Sequence, residues 1–115
     1  ALSFAAGRRI ETAEATTFAD GIACRSPDPW ALEVIGRGVS RFVTVSEAGL
    51  AEAVRACHAD THNLAEGAGA AALAGAMADA AAGRLAGCRR IGVVLSGGNI
   101  DAALYAGLIA APEAA

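Results

Sequence analysis

The chain contains no lysine, and all nine of its basic residues are arginine. A guanidinium stays protonated throughout the physiological pH range, whereas covalent catalysis on carbonyl compounds needs an amine that can lose its proton. No side chain of these 115 residues can therefore form an imine with a carbonyl group. A GC-rich genome also replaces lysine with arginine, so this absence by itself assigns no function.

Aromatic residues are scarce as well, with five in the sequence against 32 alanines. Alanine favours helices and close packing but does not fill a large core. The length allows one domain at most, and we treat residues 1–115 as a single segment. The net charge is −3, and there is no basic cluster beyond Arg8-Arg9 and Arg89-Arg90. We therefore expect no nucleic-acid partner.

Cysteines are few and far apart, at Cys24, Cys57 and Cys88. That spacing fits neither a zinc site nor a disulfide framework, so we predict three reduced, buried thiols in a cytoplasmic protein. Long hydrophobic runs are also lacking, because Asp79 interrupts the alanine-rich stretch 67–83. With no signal-peptide pattern either, we expect no membrane partner.

Capping residues and apolar periodicity predict five helices. The first is the end of a helix, at residues 1–6, and the others span residues 29–38, 47–60, 67–82 and 99–110. Gly7 closes the first in a left-handed conformation, Asp28 and Ser46 cap the second and third, and Asn99 caps the last, which ends near Pro112.

Two segments rich in β-branched residues, Arg41–Val45 and Arg90–Leu95, are predicted strands. A strand, two helices and a second strand form a crossover connection, which implies parallel strands. Two strands alone do not make a stable open sheet. The predicted fold is therefore α/β, a partial parallel sheet flanked by helices, with its other strands elsewhere.

The turn Ser96-Gly97-Gly98-Asn99 follows the second predicted strand and precedes a helix. Open α/β sheets bind ligands at such positions. The glycines let the backbone approach a ligand, and the serine offers one neutral hydroxyl. A tight loop in which the serine only caps the helix explains the same residues.

The segment Glu66–Ala72 contains Gly67-x-Gly69-x-x-Ala72, which matches the dinucleotide fingerprint in spacing alone. That fingerprint requires a strand immediately before it, and none is predicted here. Close backbone packing at a helix start, with Glu66 favoured by the helix dipole, is the better interpretation.

The residues His58, His62 and Glu66 are spaced four apart and would share one face of an unbroken helix, where they could bind a metal ion. Thr61 and Asn63 make that helix doubtful. We interpret the histidines as capping or supporting residues and predict no metal site.

Four segments in this order carry a specific signal: "TFADGIA" (17–23), "FVTVSE" (42–47), "DTHNLAEGAGAAALA" (60–74) and "VVLSGGNID" (93–101). Together they resemble the C-terminal part of the threonine/serine dehydratase (ammonia-lyase) family, which are pyridoxal-phosphate enzymes of fold type II. The resemblance runs from about Leu2 to Ile109.

The resemblance implies a cofactor site for pyridoxal phosphate. Ser96 would face the pyridine nitrogen, and Gly97 with Gly98 would leave room for the ring edge. Glu66 would lie close to the cofactor, and the backbone of Gly21 would lie near the ring hydroxyl. No catalytic residue is assigned, because the family's lysine and its glycine-rich phosphate cup belong upstream of these motifs.

The family converts a hydroxy amino acid to a 2-oxo acid and ammonia by β-elimination. The chain is therefore predicted to be a C-terminal fragment of such an enzyme, inactive alone for lack of lysine. Its expected partners are a small amino-acid substrate, the rest of the enzyme chain and further copies in a homo-oligomer. The alternative is a non-catalytic α/β remnant that acts as a binding or oligomerisation module. The sequence leaves open which hydroxy amino acid is used, and whether the enzyme is a dehydratase or a racemase.

Overall fold

The computed structural model describes residues 1–110. Five α-helices account for most of the regular structure in this range. They are α1 (Leu2–Ala6), α2 (Pro29–Gly38), α3 (Glu47–Thr61), α4 (Gly67–Ala81) and α5 (Ala102–Ala110), with a short 3₁₀ turn at Asp20–Ile22. The first four predicted helices are confirmed to within one residue, whereas the predicted end near Pro112 lies outside the described residues.

Side-chain caps explain where the middle helices begin. Asp28 accepts a hydrogen bond from the Ala31 N–H at 2.9 Å, and Ser46 accepts one from the Gly49 N–H at 3.1 Å. Each bond satisfies an N–H group that has no partner inside the helix. Gly7 ends α1 with a φ of 62°, the left-handed conformation that glycine adopts without steric cost. These three predictions are confirmed.

The core lies between α3 and α4. The apolar face predicted for α3 is confirmed, since its four buried residues are Leu50, Ala53, Val54 and Cys57. They pack against small residues of α4, chiefly Ala70 and Ala74. Most of the buried core residues are alanines, and small side chains let the two helices approach closely. Helix α5 also packs against α3, and the Tyr105 hydroxyl lies 3.0 Å from His58 Nδ1.

The predicted strands are wrong for the described residues. Neither Arg41–Val45 nor Arg90–Leu95 is a strand, and no strand occurs within residues 1–110, so the predicted parallel sheet is not seen. Apolar β-branched residues favour a strand only where a neighbouring chain completes the hydrogen-bond ladder. No backbone hydrogen bond joins these two segments to each other. One residue of each segment, Val43 and Ile91, lines the same groove of about 330 Å³ beside α4.

A buried carboxylate ties α4 to the residues around it. Asp79 is 5% exposed and accepts hydrogen bonds from the guanidinium groups of Arg41 and Arg84. These bonds, first from Arg41 and then from Arg84, hold the pKa of the Asp79 carboxyl below its ordinary value. The cluster therefore joins the segment before α3 to the turn after α4.

The cysteine prediction is right in one part and wrong in another. All three thiols are free, as predicted, but Cys24 and Cys88 are exposed, and only Cys57 is buried. Cys24 and Cys88 lie in irregular segments outside the core, whereas Cys57 lies on the inward face of α3, where burial raises its pKa. None of the helices described is long and apolar enough to cross a bilayer.

Candidate functional site at the start of α4

The first turn of α4 is the place where the conspicuous sequence motifs meet. Glu66 is its N-cap residue, although the Glu66 side chain makes no capping hydrogen bond. The turn Ser96–Asn99 lies against one side of this helix start, and the segment Thr17–Gly21 lies against another. Close backbone packing at this helix start, as predicted, is confirmed.

Gly97 docks onto α4 through its backbone. Its carbonyl oxygen accepts a hydrogen bond from the Glu66 N–H at 3.2 Å. A Cβ atom placed on Gly69 would overlap that oxygen and would stand 2.9 Å from the Gly97 nitrogen. The turn therefore approaches α4 more closely than any residue other than glycine at position 69 allows.

The glycines of the turn face the residues just before α4. A Cβ on Gly97 would overlap Oε1 of Glu66, which places this carboxylate directly beside the turn. A Cβ on Gly98 would stand 2.6 Å from the carbonyl oxygen of Leu64. Both positions lack room for a side chain because of protein atoms on this side.

The motif TFADG reaches the same helix start. The Phe18 ring lies over Gly67, where an added Cβ would be 2.6 Å from Cε2 of the ring. A Cβ on Gly21 would stand 3.0 Å from Cβ of Ala68. Gly21 is therefore held beside the first turn of α4.

Sequence reasoning missed the role of Glu47. Its carboxylate Oε2 accepts a hydrogen bond from the Phe18 N–H at 3.1 Å, which ties the motif FVTVSE to the motif TFADG. The signal was available, because Glu47 ends a quoted motif and follows the helix cap Ser46. Gly69 was also missed as a contact of the serine turn, because only a three-dimensional approach identifies it.

The structure thus brings together the predicted site residues Glu66, Gly97 and Gly21. Ser96 precedes Gly97 in the chain and is exposed. Three of the four motifs, TFADG, EGAGA and SGGN, meet at this helix start, and the fourth, FVTVSE, is tied to them by the hydrogen bond from the Phe18 N–H to Glu47. Their roles toward a cofactor stay predictions.

The dinucleotide-like glycines have a structural explanation without a nucleotide. Gly67 faces Phe18, and Gly69 faces Gly97. The N-terminus of α4, where a phosphate would be expected in that fingerprint, instead lies against the Gly97 carbonyl oxygen.

The predicted cap of the last helix is wrong. Helix α5 begins at Ala102, and Asp101 caps it by accepting hydrogen bonds from the N–H groups of Ala103 and Leu104, both at 2.9 Å. Asn99 and Ser96 precede that cap and lie outside the helix. An aspartate next to the helix is the better-placed acceptor, and its charge also suits the helix N-terminus. Ser96 is therefore not the cap of α5.

The three residues considered for a metal site each make a different contact or occupy a different structural position. His58 contacts Tyr105, His62 ends α3 with a φ of 55°, and Glu66 lies beside Gly97. Residues 1–110 contain no group of three His, Cys, Asp or Glu side chains placed to hold a metal ion.

Comparison with known proteins assigns the chain to a class. Residues 1–97 match the sequence family described as "Pyridoxal-phosphate dependent enzyme", and the chain belongs to this family. A solved structure named threonine deaminase, from T.th., is similar to it, with 30% sequence identity and a TM-score of 0.72 over 87% of this chain. No curated protein matches the chain. The predicted family is confirmed, and so is pyridoxal phosphate as the cofactor of the complete enzyme.

The chain spans only 35% of the solved threonine deaminase. The residues present nevertheless fit one part of the cofactor. Ser96 is exposed in a turn whose glycines pack against Glu66 and Leu64, and its neutral hydroxyl suits a ring nitrogen. The amine that would bind the cofactor covalently is not among these 115 residues, which contain no lysine.

Proposed function

We propose that this chain forms one wall of the pyridoxal-phosphate site of a threonine/serine ammonia-lyase. The observation that carries the proposal is the convergence of the TFADG, EGAGA and SGGN segments on the first turn of α4. Family membership and the likeness to threonine deaminase support the same reaction class. The substrate of the complete enzyme is a small hydroxy amino acid, and its products are a 2-oxo acid and ammonia.

In this proposal Ser96 gives the cofactor's pyridine nitrogen a neutral hydrogen-bond partner. A hydroxyl leaves the ring nitrogen free of the proton that a carboxylate would favour. Gly97 and Gly98 let the turn pack against Glu66 and Leu64, and so place the neighbouring Ser96 toward the ring. Glu66 holds its carboxylate beside Gly97 and so borders the same space, and Gly21 brings backbone near the ring hydroxyl.

When bound, pyridoxal phosphate would supply electron withdrawal at the substrate's Cα, which favours loss of the α-proton and elimination of the β-hydroxyl. The residues of this chain bind and orient; none of them is proposed to move the α-proton. Helix α4 contributes by fixing the serine turn, and Glu47 contributes by fixing the TFADG segment through its bond to Phe18. Other parts of the complete, homo-oligomeric enzyme contribute the amine and the phosphate site.

The chain alone is therefore inactive. Incubated with pyridoxal phosphate and borohydride, it acquires no side-chain adduct, because arginine cannot supply an unprotonated amine. Mass spectrometry after digestion is the measurement, and an adduct at the amine of Ala1 does not count. A stable side-chain adduct, or 2-oxo acid formation from threonine by the purified chain, contradicts the proposal.

The role of Ser96 is tested in the complete enzyme, or in the T.th. threonine deaminase with its matched third replaced by this chain. Ser96→Ala weakens cofactor binding up to about tenfold, since one neutral hydrogen bond contributes about 0.5–1.5 kcal/mol. Ser40→Ala, at another exposed serine, is the matched control and leaves the affinity unchanged. Equal affinities in both variants would show that Ser96 serves only the turn.

Ser96→Asp tests whether Ser96 influences the reaction as well as the affinity for the cofactor. A carboxylate favours a protonated ring nitrogen, which strengthens electron withdrawal and prolongs the time before the β-hydroxyl leaves. We expect a larger share of side products, measured as the ratio of 2-oxo acid to all other amino-acid products. An unchanged ratio contradicts the proposed contact.

A further inference from the structure

We propose that Gly69 is a positioning residue for Ser96, although the two lie on different elements and far apart in the chain. The inference rests on the proposed function in one respect, the contact between Ser96 and the cofactor. Contact of the serine turn with Gly69 would fix the position of the Ser96 hydroxyl.

The serine turn takes its position from α4. Within residues 1–110, its one backbone hydrogen bond to another element is the bond from the Glu66 N–H to the Gly97 carbonyl. The preceding segment Arg90–Leu95 makes no backbone hydrogen bonds in this range that could fix the turn from the other side. The approach of Gly97 to the first turn of α4 therefore sets the location of the neighbouring Ser96.

Gly69 controls how close that approach is. A Cβ at position 69 would overlap the Gly97 carbonyl oxygen and would stand 2.9 Å and 3.0 Å from the Gly97 nitrogen and carbonyl carbon. These are backbone atoms, which cannot rotate away as a side chain can. Any side chain at position 69 must therefore move the whole turn, and with it the hydroxyl of Ser96.

Gly97 behaves differently although it belongs to the same contact. An added Cβ there meets Oε1 of Glu66, the far end of a flexible side chain. The Glu66 carboxylate can turn aside while the turn stays in place. The geometry thus predicts an asymmetry: a methyl group on α4 displaces the turn, whereas a methyl group on the turn displaces only a carboxylate.

The first test compares Gly69→Ala with Gly75→Ala in the purified chain. Both glycines lie in α4, but a Cβ on Gly75 meets only Cβ of Val43, at 4.0 Å. Amide hydrogen exchange of Glu66 and of residues 96–99 is the readout. Gly69→Ala raises the Glu66 exchange rate about tenfold through the lost hydrogen bond, and Gly75→Ala leaves it unchanged. Equal exchange in the two variants overturns the inference.

Gly97→Ala supplies the second arm. It leaves the exchange of residues 96–99 within about twofold of the original chain, because the carboxylate yields. A rise as large as that in Gly69→Ala overturns the predicted asymmetry.

Cofactor affinity in the complete enzyme tests the functional link. Gly69→Ala weakens binding in the original enzyme but adds nothing in the Ser96→Ala background, because it acts through that hydroxyl. Additive losses overturn the positioning role. If Ser96→Ala itself has no effect, the proposed cofactor contact fails, and the exchange measurements still decide whether Gly69 places the turn.

Discussion

Val54 and Val94 are the same residue type in two regions with opposite surroundings. Val54, on α3, is fully buried, whereas Val94, in the segment before the serine turn, is 72% exposed. The first region is a pair of helices that completes its hydrogen bonds internally. The second is the apolar segment Arg90–Leu95, which has no regular secondary structure and no ladder partner in residues 1–110.

The comparison shows which secondary structure a short stretch of this sequence can specify without a partner segment. A helix satisfies its backbone within one segment, so a cap and an apolar face specify it locally. A strand needs hydrogen bonds from a neighbouring segment, so apolar residues without that neighbour form an irregular segment here. The motifs converge beside the first region, and the serine turn follows the second.

Core truncation gives the largest expected difference between the two regions. Leu50 on α3 is 2% exposed, and Leu50→Ala lowers the free energy of unfolding by about 2–5 kcal/mol, the usual cost of a cavity in a packed core. Val94→Ala is the counterpart in the exposed segment and changes it by at most about 0.5 kcal/mol. Urea denaturation of the purified chain measures both.

The comparison breaks if Val94→Ala proves as costly as Leu50→Ala. That result would mean that the exposed segment is packed in solution against something that the described residues do not include. Concentration-independent unfolding midpoints would then separate a contact within the chain from association between copies.

Much of the helical region could be predicted from sequence. The Asp28-Pro29 pair and Ser46 mark their helix starts by side-chain chemistry, and Gly7 marks an end by its backbone freedom. The irregular segments Arg41–Val45 and Arg90–Leu95 could not be predicted from sequence, because a strand there would require partners that the sequence does not identify. In the site, the motifs were recognised, but the contact of Gly69 with Gly97 joins residues with no sequence pattern in common.

The Asp79 cluster gives the next prediction, because it joins the two regions. Arg41 belongs to the irregular segment Arg41–Val45, and its bond to Asp79 holds that segment against α4. The folded-state pKa of Asp79 is lowered, so its contribution to stability is present above the unfolded value of about 3.9 and is lost as the pH falls below it. Asp79→Asn therefore lowers stability at pH 7 and reduces its acid-side slope.

The matched control is Glu33→Gln, which removes the exposed pair between Glu33 and Arg37 on α2. Such pairs contribute about 0.3–0.5 kcal/mol, so the pH dependence of unfolding stays close to that of the original chain. Both guanidinium groups of the Asp79 cluster are about half exposed and remain solvated without their partner. We therefore expect a smaller loss for Asp79→Asn than for Leu50→Ala, and an unchanged acid-side slope contradicts the role of Asp79.

The smallest expected change in stability concerns the start of α5, which follows the serine turn. Asp101→Ala removes the acceptor of the Ala103 and Leu104 N–H groups and lowers the free energy of unfolding by about 0.5–2 kcal/mol. Asn99→Ala is the control, because Asn99 lies before the cap, and it leaves that free energy within about 0.5 kcal/mol. Denaturation and amide exchange of residues 102–105 measure the two variants.

If Asn99→Ala frays α5 and Asp101→Ala does not, the cap belongs to Asn99 after all, and the serine turn is continuous with the helix. Ser96 would then be oriented by α5 as well as by α4. The serine turn could no longer be described as a segment that is positioned only by its contact with α4.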